Sequence, residues 1–122
     1  MKKIALAIAC IGTLASTTAL AQTVVKIGFA GPLTGPIAHV GKDEEFGTRL
    51  ALDDANAKGV TINGQKIRFE LMSEDDQADP RQATVVAQRL VDANVKGVVG
   101  HVTSGAAIPA ASIYEQGGIP AI

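Results

Sequence analysis

The chain has 122 residues and a formal net charge of −1, with 11 Lys and Arg against 12 Asp and Glu, and Cys10 is its only cysteine. This length suits a single domain, and the absence of a basic cluster gives no electrostatic footprint for nucleic acid or anionic lipid. Beyond Cys10 the sequence has no thiol for a disulfide, a nucleophile or a thiolate metal site.

The first 21 residues have the layout of a secretory signal peptide. Lys2 and Lys3 give a short basic start, residues 4–14 are almost entirely apolar, and small residues lead to Ala19-Leu20-Ala21. These three parts are typical of a signal that is cleaved on export, and the apolar part is shorter than the roughly 20 residues of a membrane span. We predict export and a mature chain that starts at Gln22, carries nine basic and twelve acidic residues, and does not insert into the membrane.

The mature chain opens with a predicted strand, loop and helix. Alternate apolar residues predict a strand at 24–30. Glycine and proline favour a loop over 31–41. A helix is predicted from about Asp43 to Asn56, with three acidic residues in its first turn that complement the helix dipole.

A hairpin, a second strand and a second helix are predicted next. Asn63-Gly64 is a hairpin-type turn, and alternating apolar residues predict a strand at 67–72. The acidic loop 73–79 lacks the EF-hand spacing, so we expect a solvated loop and no metal. Asp79 is predicted to cap a helix that begins at Pro80. The core-facing residues of that helix are predicted by their spacing: Ala83, Val86, Ala87, Leu90 and Val91.

The last third predicts a buried strand at 98–100, a turn at 101–104, a helix to about Gln116 and the start of another strand. Pro109 lacks a backbone donor, so the helix is expected to begin at or after Ser104, with Pro109 near its first turn. The inner face of this helix is predicted from its spacing: Ala107, Ala110, Ala111 and Tyr114.

The order of these elements predicts an α/β fold, a parallel sheet with helices on both faces. Because the chain stops inside a predicted strand, we expect it to be a fragment of a longer protein.

No motif for a cofactor or for catalysis is complete. The glycines of 31–41 do not form the dinucleotide fingerprint, and the spacing to Lys42 is too long by one residue for a phosphate loop. Ser104 lacks the flanking glycines of a nucleophile elbow, and neither His39 nor His101 has a second His or Cys nearby. We therefore expect no enzyme activity, no cofactor and no metal, and each histidine to be hydrogen-bonded or packed.

Ser104 is the residue with the clearest binding potential. In open parallel sheets ligands bind beyond the carboxyl ends of the strands, where the turn 101–104 is predicted. At a helix start, unpartnered amides and the helix dipole favour an anion such as a carboxylate. The alternative is that the Ser104 hydroxyl caps its own helix. The spacing alone leaves both open.

Five stretches match one known family in the right order. They are Val25–Pro36, Leu52–Gly59, Asp75–Pro80, Gly100–Ser104 and Gly117–Ile122. Together they resemble type I periplasmic binding proteins of the branched-chain amino acid group, whose two α/β lobes are joined by a hinge and enclose the ligand. The resemblance implies that residues 22–122 form part of the N-terminal lobe of such a protein. It also implies a periplasmic location, an amino acid ligand and the membrane permease of an ABC importer as partner.

The same resemblance implies roles for four residues. Ser104 stands where the family has a serine that hydrogen-bonds the ligand's α-carboxylate. Val102 and Thr103 stand where residues line the wall beside the ligand side chain. Val40 stands where amino-acid binders often carry an aromatic residue, so the identity of the bound side chain stays open. The acidic partner of the ligand's α-ammonium belongs to the second lobe.

The sequence also leaves two alternative functions. A ligand-sensing receptor ectodomain would share this fold and would need a membrane-spanning helix downstream. An exported α/β hydrolase would need a nucleophile and a base, which the sequence does not offer.

Overall fold

The computed structural model describes residues 22–122, so the predicted signal peptide at 1–21 lies outside the described part of the chain. In chain order the elements are β1 (Thr23–Gly31), α1 (Ala38–Lys58), β2 (Thr61–Ile62), β3 (Gln65–Asp75), α2 (Pro80–Asp92), β4 (Val98–Gly100) and α3 (Ser104–Gly117). Within this range no helix is both long and apolar enough to cross a bilayer.

The strands form one sheet in the order β2-β3-β1-β4. β1 lies in parallel between β3 and β4, with Ala30 opposite both Glu74 and Gly100. β2 pairs antiparallel with β3 across Asn63 and Gly64, whose φ angles of 50° and 79° suit a tight hairpin turn. All three parallel strands therefore end at the same edge of the sheet, which we call the carboxyl edge.

Helices cover both faces of this sheet. The connection from β1 to β3 and the connection from β3 to β4 step in opposite directions across the sheet. Because such crossovers are right-handed, α1 lies on one face and α2 on the other, and α3 packs beside α2. The predicted α/β fold is confirmed, with β2 as an antiparallel addition. Val98 also forms a parallel bridge with Ala121, where the last strand was predicted to begin.

The core lies between the sheet and the α2–α3 layer. Its fully buried members are Ala30, Val86, Ala87, Leu90, Val95, Val98, Ala110 and Tyr114. The predicted inner stripe of α2 is confirmed except at Val91, which is only partly buried. Gly28 allows this close packing, since a Cβ there would lie 3.1 Å from a methyl carbon of Leu90.

The start of α1 differs from the prediction. The helix begins at Ala38, five residues before Asp43, and its first turn contains no acidic residue. Gly41 is a buried helical residue, and a Cβ at this position would collide with the backbone carbonyl of Pro32. Close packing of the helix on the preceding loop therefore requires glycine at position 41. In the sequence this glycine favours a loop, which is why the predicted helix begins too late.

The course of α3 also differs in detail. Ser104 is its first residue, but Pro109 lies inside the helix, beyond the first turn. The carbonyl left without a donor by Pro109 is that of Gly105, an exposed residue that water can reach. Of the predicted inner face, Ala110 and Tyr114 are fully buried, whereas Ala107 is half-buried and Ala111 is exposed.

Candidate functional site

The predicted binding residues lie at the carboxyl edge of the sheet. Val102, Thr103 and Ser104 follow β4, and Val40 lies in the first turn of α1, which follows β1. Because β1 and β4 are adjacent and parallel, both segments emerge side by side at the edge where open α/β sheets bind ligands. Val40 is 37% exposed and stands on a different element from the other three residues.

The N-terminus of α3 has no side-chain cap. Thr103 is the N-cap residue, and its carbonyl oxygen accepts hydrogen bonds from the amides of Ala106 and Ala107 at 3.0 and 2.9 Å. The capping role that the sequence left open for Ser104 is therefore wrong. Ser104 and Gly105 are exposed, so the first helical amides face solvent.

The Thr103 side chain has an unusual environment. Its hydroxyl oxygen is buried and makes no hydrogen bond to any residue within 22–122. A buried hydroxyl without a partner costs on the order of 1–3 kcal/mol.

The three helices differ at their N-termini, which all reach the carboxyl edge. At α2 the Asp79 carboxylate accepts hydrogen bonds from the amides of Arg81 and Gln82 at 2.8 and 2.9 Å, which confirms the predicted cap. Neither α1 nor α3 has a side-chain cap. The positive ends of these two helices are therefore left for another group with negative charge.

The turn between β4 and α3 fits tightly against β1. Gly100 has φ of 114°, and a Cβ on it would collide with the carbonyl oxygen of Ala30. The peptide bond that joins Gly100 to His101 is cis. Val102 covers Gly31, since a Cβ on that glycine would lie 2.6 Å from a Val102 methyl carbon. The turn can lie this close to β1 because glycines stand at the ends of both strands, Gly31 in β1 and Gly100 in β4.

A buried hydrogen-bonded cluster lies beneath this turn. His101 Nδ1 is 2.6 Å from Asp76 Oδ2, and His101 Nε2 is 3.0 Å from the Tyr114 hydroxyl. The other Asp76 oxygen accepts a hydrogen bond from the Ala78 amide at 2.8 Å. The expectation that His101 is hydrogen-bonded is confirmed. The expectation of a solvated acidic loop is wrong at Asp76, which is fully buried.

Burial, the larger influence, and the negative charge of Asp76 both raise the pKa of the Tyr114 hydroxyl above its usual range. The phenol therefore keeps its proton and can donate it to His101. Since both ring nitrogens of His101 are engaged, this side chain has no free nitrogen with which to activate Ser104.

The neighbouring carboxylate, Asp75, holds the loop between β1 and α1. It accepts hydrogen bonds from the amides of Leu33, Thr34 and Gln77 at 2.8, 3.3 and 2.9 Å, and from the Thr34 hydroxyl at 2.5 Å. Burial, the largest single influence, raises the pKa of Asp75, but these hydrogen bonds together outweigh it and the pKa lies below its ordinary value.

The sequence contains a signal for this cluster. Asp76 and His101 each follow a parallel strand directly, so both lie at the carboxyl edge. Tyr114 was predicted on the inner face of α3, where a buried hydroxyl needs a partner. Within 22–122 no group of His, Cys, Asp and Glu is arranged to hold a metal ion.

The profile of the family described as periplasmic binding protein matches residues 24–122. The chain belongs to the periplasmic binding protein family. This family consists of non-enzymatic solute-binding proteins, so the expectation of no enzyme activity is confirmed and the hydrolase alternative is set aside.

Several relatives of the chain are named for amino acids or were solved with a bound ligand. The Leu/Ile/Val-binding protein of Escherichia coli (strain K12) is 40% identical over 115 residues, which are 94% of this chain and 30% of that protein. A branched-chain amino acid transporter substrate binding protein from Streptococcus pneumoniae, solved with isoleucine, is 34% identical with a TM-score of 0.73, covering 81% of this chain and 28% of that one. A solute binding protein of an ABC transporter from Rhodopseudomonas palustris BisB5, solved with 3,4-dihydroxy benzoic acid, is 30% identical with a TM-score of 0.67. The match covers 80% of this chain and 26% of that one.

This member of the periplasmic binding protein family is thus homologous to branched-chain amino acid binding proteins of ABC transporters. It spans less than a third of the length of these relatives. The ligand roles of Val40, Val102, Thr103 and Ser104 stay predictions.

Proposed function

We propose that this chain contributes to the N-terminal lobe of a two-lobe solute-binding protein that captures an amino acid in the periplasm for the membrane permease of an ABC importer. The observation that carries the proposal is the uncapped N-terminus of α3 at the carboxyl edge. There the amides of Ser104 and Gly105, the Ser104 hydroxyl and the unpartnered Thr103 hydroxyl lie within one short segment.

The chemistry of these groups favours a carboxylate. All of them are hydrogen-bond donors, and the positive end of the helix dipole adds attraction for a negative charge. Two of the related proteins were solved with isoleucine and with 3,4-dihydroxy benzoic acid, ligands that differ in nearly every group but both contain a carboxylate. A carboxylate on the start of α3 is consistent with both.

An amino acid is favoured over an aromatic acid by the sequence relatives. The Escherichia coli protein, whose alignment extends over 94% of this chain, is a Leu/Ile/Val-binding protein. Val40 places an apolar side chain at the carboxyl edge. In this proposal the α-ammonium group of the ligand is bound by an acidic residue outside 22–122.

The experiment is isothermal titration calorimetry on the full-length protein with leucine, isoleucine, valine, 3,4-dihydroxybenzoate and leucinol. Leucinol has the side chain and ammonium group of leucine but lacks its carboxylate. We expect binding of at least one branched-chain amino acid and no binding of leucinol. Equal affinity for leucine and leucinol would contradict a carboxylate site at α3.

The contribution of Ser104 is tested by Ser104→Ala in the same titration. Loss of a hydroxyl that donates to a buried carboxylate should weaken binding by roughly 1–3 kcal/mol. The matched control is Ser112→Ala, which changes another exposed serine of α3 away from its N-terminus and should leave affinity unchanged. An unchanged affinity in Ser104→Ala would remove this residue from the site.

A further inference from the structure

We propose that Asp76 and Tyr114 are positioning residues that act through His101 to hold the turn 101–103, so that Thr103 and the first amides of α3 face the ligand. This inference rests on the proposed function for the role of the turn. The three side chains do not touch the ligand in this proposal, and they act on it only through the backbone.

The cluster joins three separate parts of the carboxyl edge. Asp76 follows β3, His101 follows β4, and Tyr114 lies in the body of α3. Asp76 is fully buried, the His101 side chain is 1% exposed and Tyr114 is 3% exposed. A buried carboxylate is costly unless it is well hydrogen-bonded. Its two bonds, from the Ala78 amide and from the His101 ring, fix its position and that of the histidine.

The partners assign the proton positions in the cluster. The Asp76 carboxylate can only accept, so Nδ1 of His101 carries the proton that it receives. Nε2 of a neutral ring is then an acceptor, and the Tyr114 hydroxyl donates to it. Each polar atom of the chain Tyr114–His101–Asp76 has a partner of the right type, which gives the imidazole one orientation.

The turn depends on this imidazole because its backbone is otherwise weakly held. Outside the helix and strand ladders of residues 22–122, no backbone–backbone hydrogen bond is made by His101 or Val102. The ends are fixed, since the Gly100 amide donates to the Ile122 carbonyl at 2.8 Å and the Thr103 carbonyl accepts the first bonds of α3. Between these ends only the His101 side-chain bonds and the packing of Val102 on Gly31 define the path.

The chosen variants separate the two bonds of the ring. In His101→Asn the amide nitrogen takes the place of Nδ1 and can still donate to Asp76. In His101→Gln the terminal group takes the place of Nε2, so the bond to Tyr114 is kept and the bond to Asp76 is lost. Tyr114→Phe removes only a hydroxyl from the core and serves as a second, milder variant if His101→Gln does not fold.

The matched control is Asn56→Ala. Asn56 is a half-buried residue whose side chain bonds both the amide and the carbonyl of Phe69, at 2.8 and 2.9 Å, and joins α1 to β3. This variant lowers stability without touching the cluster. It therefore shows what a general loss of stability does to the turn and to binding.

Three quantities are measured on the full-length protein: ¹⁵N shifts of the His101 ring, ¹⁵N order parameters of the Val102 and Thr103 amides, and leucine affinity by calorimetry. We expect the ring proton on Nδ1 and order parameters near 0.85 in the parent, falling below about 0.6 in His101→Gln. Leucine affinity should fall about tenfold in His101→Gln, as expected for the loss of a charge-assisted hydrogen bond. His101→Asn keeps the bond to Asp76 and loses the bond to Tyr114, so it should show a smaller loss of both properties, and Tyr114→Phe should match it. Asn56→Ala should change neither.

The outcomes separate this inference from the proposed function. One outcome is that the parent binds no amino acid and that His101→Gln lowers the order parameters at 102–103 the most among the variants, whereas the Asn56→Ala control leaves them unchanged. This outcome would support the positioning role and remove the proposed function. A parent that binds leucine, with order and affinity the same in His101→Gln as in Asn56→Ala, would overturn the positioning role. A ring whose only proton is on Nε2 would overturn it as well, because Nδ1 could then not donate to Asp76.

Discussion

At the end of β3 two adjacent carboxylates contact different parts of the carboxyl edge. Asp75 holds the loop that leads into α1, whereas Asp76 holds the turn that leads into α3. Both segments carry predicted binding residues, Val40 and Ser104. The end of one strand therefore sets the geometry of both neighbouring segments.

The hydrogen bonds of Asp75 predict a dependence of stability on pH. Its folded-state pKa lies below its ordinary value, so it binds a proton less readily in the folded state than in the unfolded state. This contribution is fully present above the unfolded pKa of about 3.9 and is lost as pH falls through the folded pKa. The melting temperature of the wild type should exceed that of Asp75→Asn at pH 6, and the difference should shrink below about pH 4.

The control for this prediction is Asp54→Asn, which changes an exposed carboxylate on α1. The difference in melting temperature between Asp54→Asn and the wild type should stay small from pH 6 to pH 3. A difference between wild type and Asp75→Asn that grows on acidification would have the wrong sign for a carboxylate stabilised by hydrogen bonds. Thermal melts at half-unit pH intervals supply the measurement.

Prediction from sequence succeeded where the relevant contact is local. Asp79 and Pro80 mark the start of α2 through contacts within three residues. The carboxylate of Asp76 looked like part of a solvated loop because its partner, His101, lies 25 residues away and is brought near only by the parallel pairing of strands. Burial of a polar residue depends on such distant partners, and a pattern of neighbouring residues does not contain them.

Within residues 22–122 the sequence predicted the helices and the parallel strands in the right order, with only a hairpin turn where β2 lies, and the boundaries of α1 and β3 depended on packing. α1 begins early because Gly41 fits against Pro32, and β3 extends to Asp75 because its polar end pairs with the buried end of β1. The predicted binding residue Ser104 was singled out by its position after β4, whereas Val102 and Thr103 were predicted from the family resemblance. The missing cap of α3 could not be predicted from the sequence, because Thr103 has a side chain that is able to cap a helix.

Two glycines predict opposite effects of the same substitution. Gly100→Ala places a side chain at a φ of 114° and against the Ala30 carbonyl, so it should lower the free energy of unfolding by about 1–3 kcal/mol from backbone strain alone. Gly47→Ala lies in α1 with open space around the new methyl group and should raise it by about 0.5–1 kcal/mol. Urea unfolding of both variants measures the pair, and equal effects would contradict the described path of the β4–α3 turn.

At the scale of the whole molecule, the described segment offers one side of the proposed site. The donors at α3 suit the carboxylate of an amino acid, whereas the α-ammonium group needs an acidic partner outside 22–122. We therefore expect residues 22–122 alone to bind leucine weakly or not at all in calorimetry, while the full-length protein binds it. Micromolar binding by the isolated segment would contradict the two-lobe proposal, and its circular dichroism spectrum would first establish that it is folded.

The position of β1 has a practical consequence. This nine-residue strand starts at Thr23 and runs through the middle of the sheet, so its amino end and the carboxyl edge are separated by about 30 Å at roughly 3.3 Å per residue. A dye or affinity handle joined to Gln22 would sit at the opposite end of the described sheet from the α3 donors. We expect such a label to serve for immobilising the protein, or for following it by fluorescence, while leaving the proposed site at α3 open.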